Sequence, residues 1–139
     1  MTKLTIVAIG KVKERYIQEG IQEFEKRLTK FCKLEIVELK EDTKENEAKK
    51  LEKYLKTNTY LLDEKGAQYT SEGFAQLLKP TEDITFIIGN FHGLDESIKK
   101  RSKLLALSKL TFTHEMCRLF LIEQIYRGFN ILNNTQYHK

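Results

Sequence analysis

The stretch FIIGNFHGLDESIKKRS, residues 86–102, decides the class of fold. Its apolar opening has the composition of a buried strand, and the chain breaks at Gly89. A short loop closes at Gly93, and Asp95 is placed to cap a helix rich in lysine and arginine. Strand, glycine loop and helix is a common way to hold a nucleotide, because glycine lets a ligand approach main-chain N–H and C=O groups closely. The spacing is not G-x-G-x-x-G, and no Lys-Ser/Thr follows as in a P-loop. The loop must therefore serve some other ligand or a plain turn.

Outward from this stretch, strand and helix signals alternate. Residues 4–9 form an apolar run ended by Gly10, and residues 14–31 carry Tyr16, Ile17, Ile21, Phe24 and Leu28 on one helical stripe. Residues 34–39 alternate as a strand. Asp42 or Thr43 caps a charged helix to about residue 56, with Asp42 and Glu45 at capping-box spacing. Residues 59–63 read as a strand stopped by Glu64-Lys65-Gly66, and residues 71–78 as a short helix ended by Pro80. After the strand at 84–88 and the basic helix come a strand over 104–110 and a long helix from a Thr113 cap to Leu132. A polar tail ends in Tyr137-His138-Lys139. This order predicts one α/β domain over residues 1–139 with a mainly parallel sheet. Ligands of such sheets sit outside the carboxyl ends of strands, which selects the loops at 63–66, 89–93 and 110–114.

Composition narrows the chemistry. No apolar run approaches the roughly 18–20 residues of a membrane span, and the N-terminus reads as a first strand rather than a signal peptide. A cytoplasmic protein with no membrane partner is expected. Cys32 and Cys117 are far apart and outside any C-x-x-C, as core thiols are, and His92, His114 and His138 lack zinc-ligand spacing, so no metal is expected. Residues 1–93 hold 16 basic and 16 acidic side chains, whereas residues 94–139 hold 8 and 4, so the whole excess of +4 lies in the C-terminal third. Lys99, Lys100, Arg101 and Lys103 cluster there, which suits either a phosphate-bearing partner or a solvated helix face.

The last helix is apolar around much of its surface through Met116, Leu119, Phe120, Ile122, Ile125, Tyr126, Phe129 and Leu132. Such a helix packs against more than its own sheet, either as a homodimer contact or as a deeply buried core element. Glu123 and Arg127 have i,i+4 spacing, and Arg118 lies further back on the same helix, where either arginine could contact RNA phosphate or fix a partner loop.

Read together, AIGKVKERY at 8–16, LLDEKG at 61–66, FIIGNFHG at 86–93, LSKLTFTHEM at 107–116, RLFLIEQIYRGF at 118–129 and YHK at 137–139 occur in a known order. Over essentially its full length the chain resembles the RlmH family of ribosomal RNA large-subunit methyltransferases. The resemblance implies a SPOUT-type α/β knot: a mainly parallel sheet flanked by helices, with a C-terminal trefoil knot. It also implies a homodimer that binds S-adenosyl-L-methionine and methylates N3 of a pseudouridine in 23S rRNA of the assembled ribosome. Carried over by position, the cofactor residues are Leu62, Gly89, Leu107, Ser108, Lys109, Leu110, Thr111 and Phe112. The catalytic candidates are His138 as base, with Tyr137 and Arg118 beside it and Arg127 or Lys139 as further cations, acting at the partner subunit's cofactor. Two positions depart from the family pattern. Asn90 stands where a second glycine is usual, and asparagine tolerates left-handed backbone better than most residues. Thr113 stands where proline is common, and threonine is a favourable N-cap. The rival readings are a non-catalytic module that docks on ribosomal RNA, and a Rossmann or flavodoxin-type nucleotide binder. Gly10-Lys11 after the first strand is no dinucleotide fingerprint.

Overall fold

The structure is a computed structural model and describes residues 1–79 and 82–138. Five strands, β1 (Lys3–Ile9), β2 (Lys33–Leu39), β3 (Thr59–Gln68), β4 (Ile84–Ile88) and β5 (Lys103–Ala106), form one sheet in the order β2-β1-β4-β3-β5. Every pairing is parallel. The helices are α1 (Arg15–Leu28), α2 (Lys44–Leu51), α3 (Ser71–Leu77), α4 (Glu96–Lys100) and α5 (His114–Leu132), with a 3-10 turn at Glu52–Tyr54.

Both faces of the sheet are covered, which explains the unbroken apolar runs in β1 and β4. Leu4, Ile6 and Ala8 of β1 and Ile84, Phe86 and Ile88 of β4 point into a large core built with α1, α3 and α5. Their alternates Val7, Ile9 and Ile87 point into a smaller core with Ala48 and Leu51 of α2 and Ile98 of α4. β2 lies at the sheet edge and alternates exposed and part-buried residues accordingly.

α5 is a core helix on this side: Leu121, Ile122, Ile125, Tyr126 and Phe129 are buried against α1, α3 and the sheet. Gly20 of α1 and Gly128 of α5 permit the close packing. A Cβ at 20 would come within 2.9 Å of Leu119, and one at 128 within 2.5 Å of Leu78. No helix among the described residues is long and apolar enough to cross a membrane.

The caps fall where side-chain chemistry places them. Thr113 accepts from Met116 N–H at 3.2 Å and Asp95 from Ser97 N–H at 2.9 Å. At α2, Thr43 is the cap and the Asp42–Glu45 box does not form; the buried Glu47 carboxylate, one turn in, accepts from Asp42 N–H at 2.9 Å. Two strands differ from expectation. β3 does not stop at residue 63: residues 63–66 loop out and the strand resumes, with Leu62 and Ala67 both opposite Leu105. β5 ends at Ala106, and residues 107–110 leave the sheet as a loop. Pro80 and Lys139 lie outside the described residues.

Candidate functional site

Three loops at the carboxyl ends of β3, β4 and β5 enclose a cavity of about 710 Å³. Leu62 through Lys65 supply one wall, the Ile88–Gly93 region and Leu94 a second, and Leu107–His114 most of a third. Each loop has its own structural cause. Gly66 lets residues 63–66 leave and rejoin β3, because a Cβ there would lie 2.5 Å from the main chain of both Leu104 and Leu105. Gly89 is needed for space, since its Cβ would meet Leu94 Cγ at 2.8 Å. Gly93 is needed for conformation, with φ +77°. Asn90 has no left-handed backbone, so the departure from a glycine pair costs the loop nothing in φ. Its side chain is buried; Oδ1 accepts from Phe91 N–H at 2.6 Å while Nδ2 has no partner.

The walls are cross-tied. Thr111 Oγ1 donates to Glu64 at 2.6 Å across 47 positions of chain, and Lys99 Nζ lies 3.5 Å from Asp63. Leu110 N–H donates to Ser108 Oγ at 3.0 Å, and Phe112 packs edge-on against Phe120 at 5.0 Å. Of the eight residues carried over as cofactor ligands, seven line the cavity: Leu62, Gly89, Leu107, Ser108, Leu110, Thr111 and Phe112. Lys109 is exposed and is not part of the lining. Asp63, Glu64, Phe91 and His114 fall in the loops that strand order selects from the sequence, though no individual role follows from it, and all four face the cavity. Lys99 and Cys117, which lie outside those loops, face it as well. Burial raises the Cys117 thiol above its ordinary range.

The basic cluster after the loop is partly spent within the chain. Lys99 pairs with Asp63, and Arg101 pairs with Glu52 at 2.6 Å. Neither a phosphate-bearing partner outside the chain nor a solvated face describes Lys99, which turns to the cavity wall.

The catalytic candidates sit elsewhere. Tyr137 donates to Glu123 Oε2 at 3.0 Å and lies under the Arg127 guanidinium, 4.9 Å from the ring centroid. Burial, then the bond to Glu123, raises its phenol above the ordinary value, so it stays a neutral donor at physiological pH. His138 Nδ1 lies 3.2 Å from Arg127 Nη1, which can only donate, and Nε2 lies 3.2 Å from Glu72 Oε2. The Glu72 carboxyl is held below its usual value, first by its own backbone N–H and then by His138. Neither Tyr137 nor His138 lines the cavity of its own chain. Their partner Glu123 is nine residues along α5 from His114, about 13 Å at 1.5 Å per residue. Arg118 joins neither group. It is 2% exposed, paired with Glu38 of β2, and donates to Gly10 O at 3.0 Å. In this position it ties α5 to the ends of β1 and β2.

Residues 2–138 match the family described as "Predicted SPOUT methyltransferase". The chain is 43% identical over 160 aligned positions to the ribosomal RNA large subunit methyltransferase H of Desulforamulus reducens, covering 100% of both chains. It is 40% identical over 153 positions to the protein of that name from Caldicellulosiruptor saccharolyticus, covering 98% of this chain and 99% of the other. The chain belongs to the RlmH family of SPOUT methyltransferases. Solved structures agree on the fold at low identity. TrmJ from Z. mobilis ZM4 superposes with a TM-score of 0.55 at 9% identity, over 92% of this chain and 70% of that one. A putative RNA methyltransferase from Bacillus anthracis gives 0.52 at 13%, over 91% and 94%. The RlmH assignment excludes the Rossmann and flavodoxin readings, and the strand order of this sheet is neither of theirs.

Proposed function

We propose that the chain is an S-adenosyl-L-methionine-dependent methyltransferase acting on N3 of a pseudouridine in 23S rRNA of the assembled ribosome, as a cytoplasmic homodimer. The observation that carries this reading is the cavity where three separate loops meet at the carboxyl ends of β3, β4 and β5. Its volume of about 710 Å³ falls within the roughly 300–1,000 Å³ usual for small-molecule sites. The residues present suit the donor. Leu62, Leu107, Leu110 and Phe112 offer apolar walls, Gly89 offers bare main chain, and the Asn90 amide is a buried donor without a partner. Asp63 and Glu64 share the lining with Lys65 and Lys99, so it offers both signs of charge to a donor that carries both.

When bound, the donor supplies an electrophilic methyl group on a sulfonium. This chain's residues must then hold the acceptor base in line with it and remove the N3 proton, because the protonated nitrogen is a poor nucleophile. Tyr137 is held neutral, which leaves His138 as the base. Nδ1 of His138 faces the donor Arg127 and Nε2 faces the Glu72 carboxylate, so substrate must displace Arg127 before Nδ1 can take a proton. Arg127, freed from that contact, can stabilise negative charge on the deprotonated base. Lys139, a further candidate cation, lies outside the described residues. The separation of this cluster from its own cavity supports a dimer in which one subunit's Tyr137 and His138 complete the partner's site. A trefoil threading of residues 103–132 belongs to the same proposal. It is supported by the contact of residue 66 with the main chain of 104–105 and by the Thr111–Glu64 bond.

Calorimetry with S-adenosylmethionine and its demethylated product tests the cofactor assignment. Absence of binding would favour a module that only docks on ribosomal RNA. Single-turnover methylation at saturating donor tests the base. His138→Ala is expected to slow the step by roughly 10²–10⁴-fold, and a rate equal to the parent's would remove His138 from the mechanism.

A further inference from the structure

Among the described residues only five large apolar side chains are exposed, and two of them, Phe91 and Leu110, line this one cavity. Leu110 belongs to the proposed cofactor wall; Phe91 has no role so far. At 87% exposure it is the most exposed large apolar side chain described. Yet its loop is fixed. Phe91 N–H donates to Asn90 Oδ1 at 2.6 Å, Gly93 N–H donates to Asn90 O at 2.9 Å, and His92 Nδ1 lies 3.1 Å from Gly93 O. The Phe91 ring meets the His92 ring edge-to-face at 5.3 Å, and His92 Nε2 is itself 3.7 Å from the fully buried Glu47 carboxylate. An internally hydrogen-bonded loop thus holds an aromatic ring in water at the rim of a small-molecule cavity.

We propose that the Phe91 ring is a stacking platform for an unpaired base of the rRNA substrate at the mouth of the cavity. This rests on the methyltransferase reading above. A base that enters the cavity must leave its neighbours in the RNA stack, and an exposed aromatic face restores part of what it loses. Such stacking tolerates any base, which fits a ring with no polar group to read an edge. Lys65 on the same rim and Lys100 on α4 are exposed cations that suit the accompanying phosphates.

The test compares the parent with Phe91→Ala and Phe91→Trp, using large ribosomal subunits that lack the modification as substrate. Loss of one stacked base predicts a fall in kcat/KM of roughly 5- to 150-fold for Phe91→Ala, carried mostly by KM. Donor affinity by calorimetry and subunit mass by sedimentation are expected to match the parent, and Phe91→Trp to restore kcat/KM. The chain contains no tryptophan, so Phe91→Trp also places a lone indole at the rim. Its fluorescence should fall when large subunits are added and stay unchanged with S-adenosylmethionine alone. Parent-like kcat/KM in Phe91→Ala overturns the proposal. So does weakened donor binding, which puts the ring on the cofactor, or a shift in subunit mass, which puts it in a subunit interface. Failure of the parent itself to bind donor would sink the methyltransferase reading instead, and is distinguished by the same calorimetry.

Discussion

Substituting Gly66 by alanine tests the cavity and the strand topology together. The added Cβ would sit 2.5 Å from the carbonyl carbon of Leu104 and from the nitrogen of Leu105, and 2.7 Å from the carbonyl oxygen of Leu104. Ordinary contacts of that carbon are a full ångström longer, and the atoms it meets are main chain in a paired strand, which cannot rotate away. The cost belongs at the top of the range for overpacking, about 3 kcal/mol. For a domain of this size each kcal/mol moves Tm by roughly 3–5 °C, so a loss of about 10–15 °C is expected. Relief requires β5 to shift or residues 63–65 to move, and both line the cavity, so donor affinity should fall with stability. Gly93→Ala is the control: no atom lies within 4 Å of its Cβ, and only the φ of +77° is at stake, worth about 1–2 kcal/mol. Thermal unfolding by circular dichroism and calorimetric donor binding read both effects. A Gly66→Ala protein melting within 2 °C (roughly half a kcal/mol) of the parent would refute the close approach of these two segments.

Arg118→Met should destabilise the fold by about 2 kcal/mol through the lost contacts to Glu38 and Gly10; a parent-like Tm with weakened RNA binding would return Arg118 to the substrate. Burial raises both thiols, Cys32 to about 11, so alkylation near pH 8 should be slow and should accelerate as pH rises. S-adenosylmethionine should protect Cys117, which lines the cavity, and leave Cys32 unaffected; equal behaviour of the two would place the donor elsewhere. The Asp95 carboxyl is held below its usual value by Ser97, side chain first and backbone second. Its contribution is therefore present above the ordinary carboxylate value and lost as pH falls towards the lowered one. Asp95→Asn, which keeps a capping side chain, should flatten that acid limb of the stability curve, and an unchanged limb would show the cap to be uncharged in effect.

The order of strands and helices was legible because both cores obey simple periods. The Ile17, Ile21 and Leu28 stripe of α1 and the doubly covered runs of β1 and β4 are local patterns. The caps at Thr113 and Asp95 were legible for the same reason. Residues 63–66 were misjudged as a strand end because Glu64-Lys65-Gly66 has turn composition; only the neighbouring β5 shows that the strand resumes. Residues 107–110 were misjudged in the opposite sense, since Leu107 and Leu110 look like strand residues but face a cavity. Glycine's roles separate likewise: a positive φ at Gly93 is a local need, whereas the crowding at Gly66 and Gly89 comes from distant or looped chain. The eight cofactor positions follow from resemblance by position, and the geometry gathers all but Lys109 around one cavity. Arg118 shows the reverse limit, because no local pattern reveals that Glu38 and Gly10 bury it.

The central claim is that this cavity holds the methyl donor for modification of ribosomal RNA. Incubating the purified protein with S-adenosylmethionine and large ribosomal subunits or whole ribosomes from cells lacking the gene, then digesting the 23S rRNA for nucleoside mass spectrometry, tests it most directly. One additional methyl group on a pseudouridine, absent when Gly66→Ala or Gly89→Val protein is used, is the predicted result. An rRNA nucleoside profile identical with and without the protein would contradict the account.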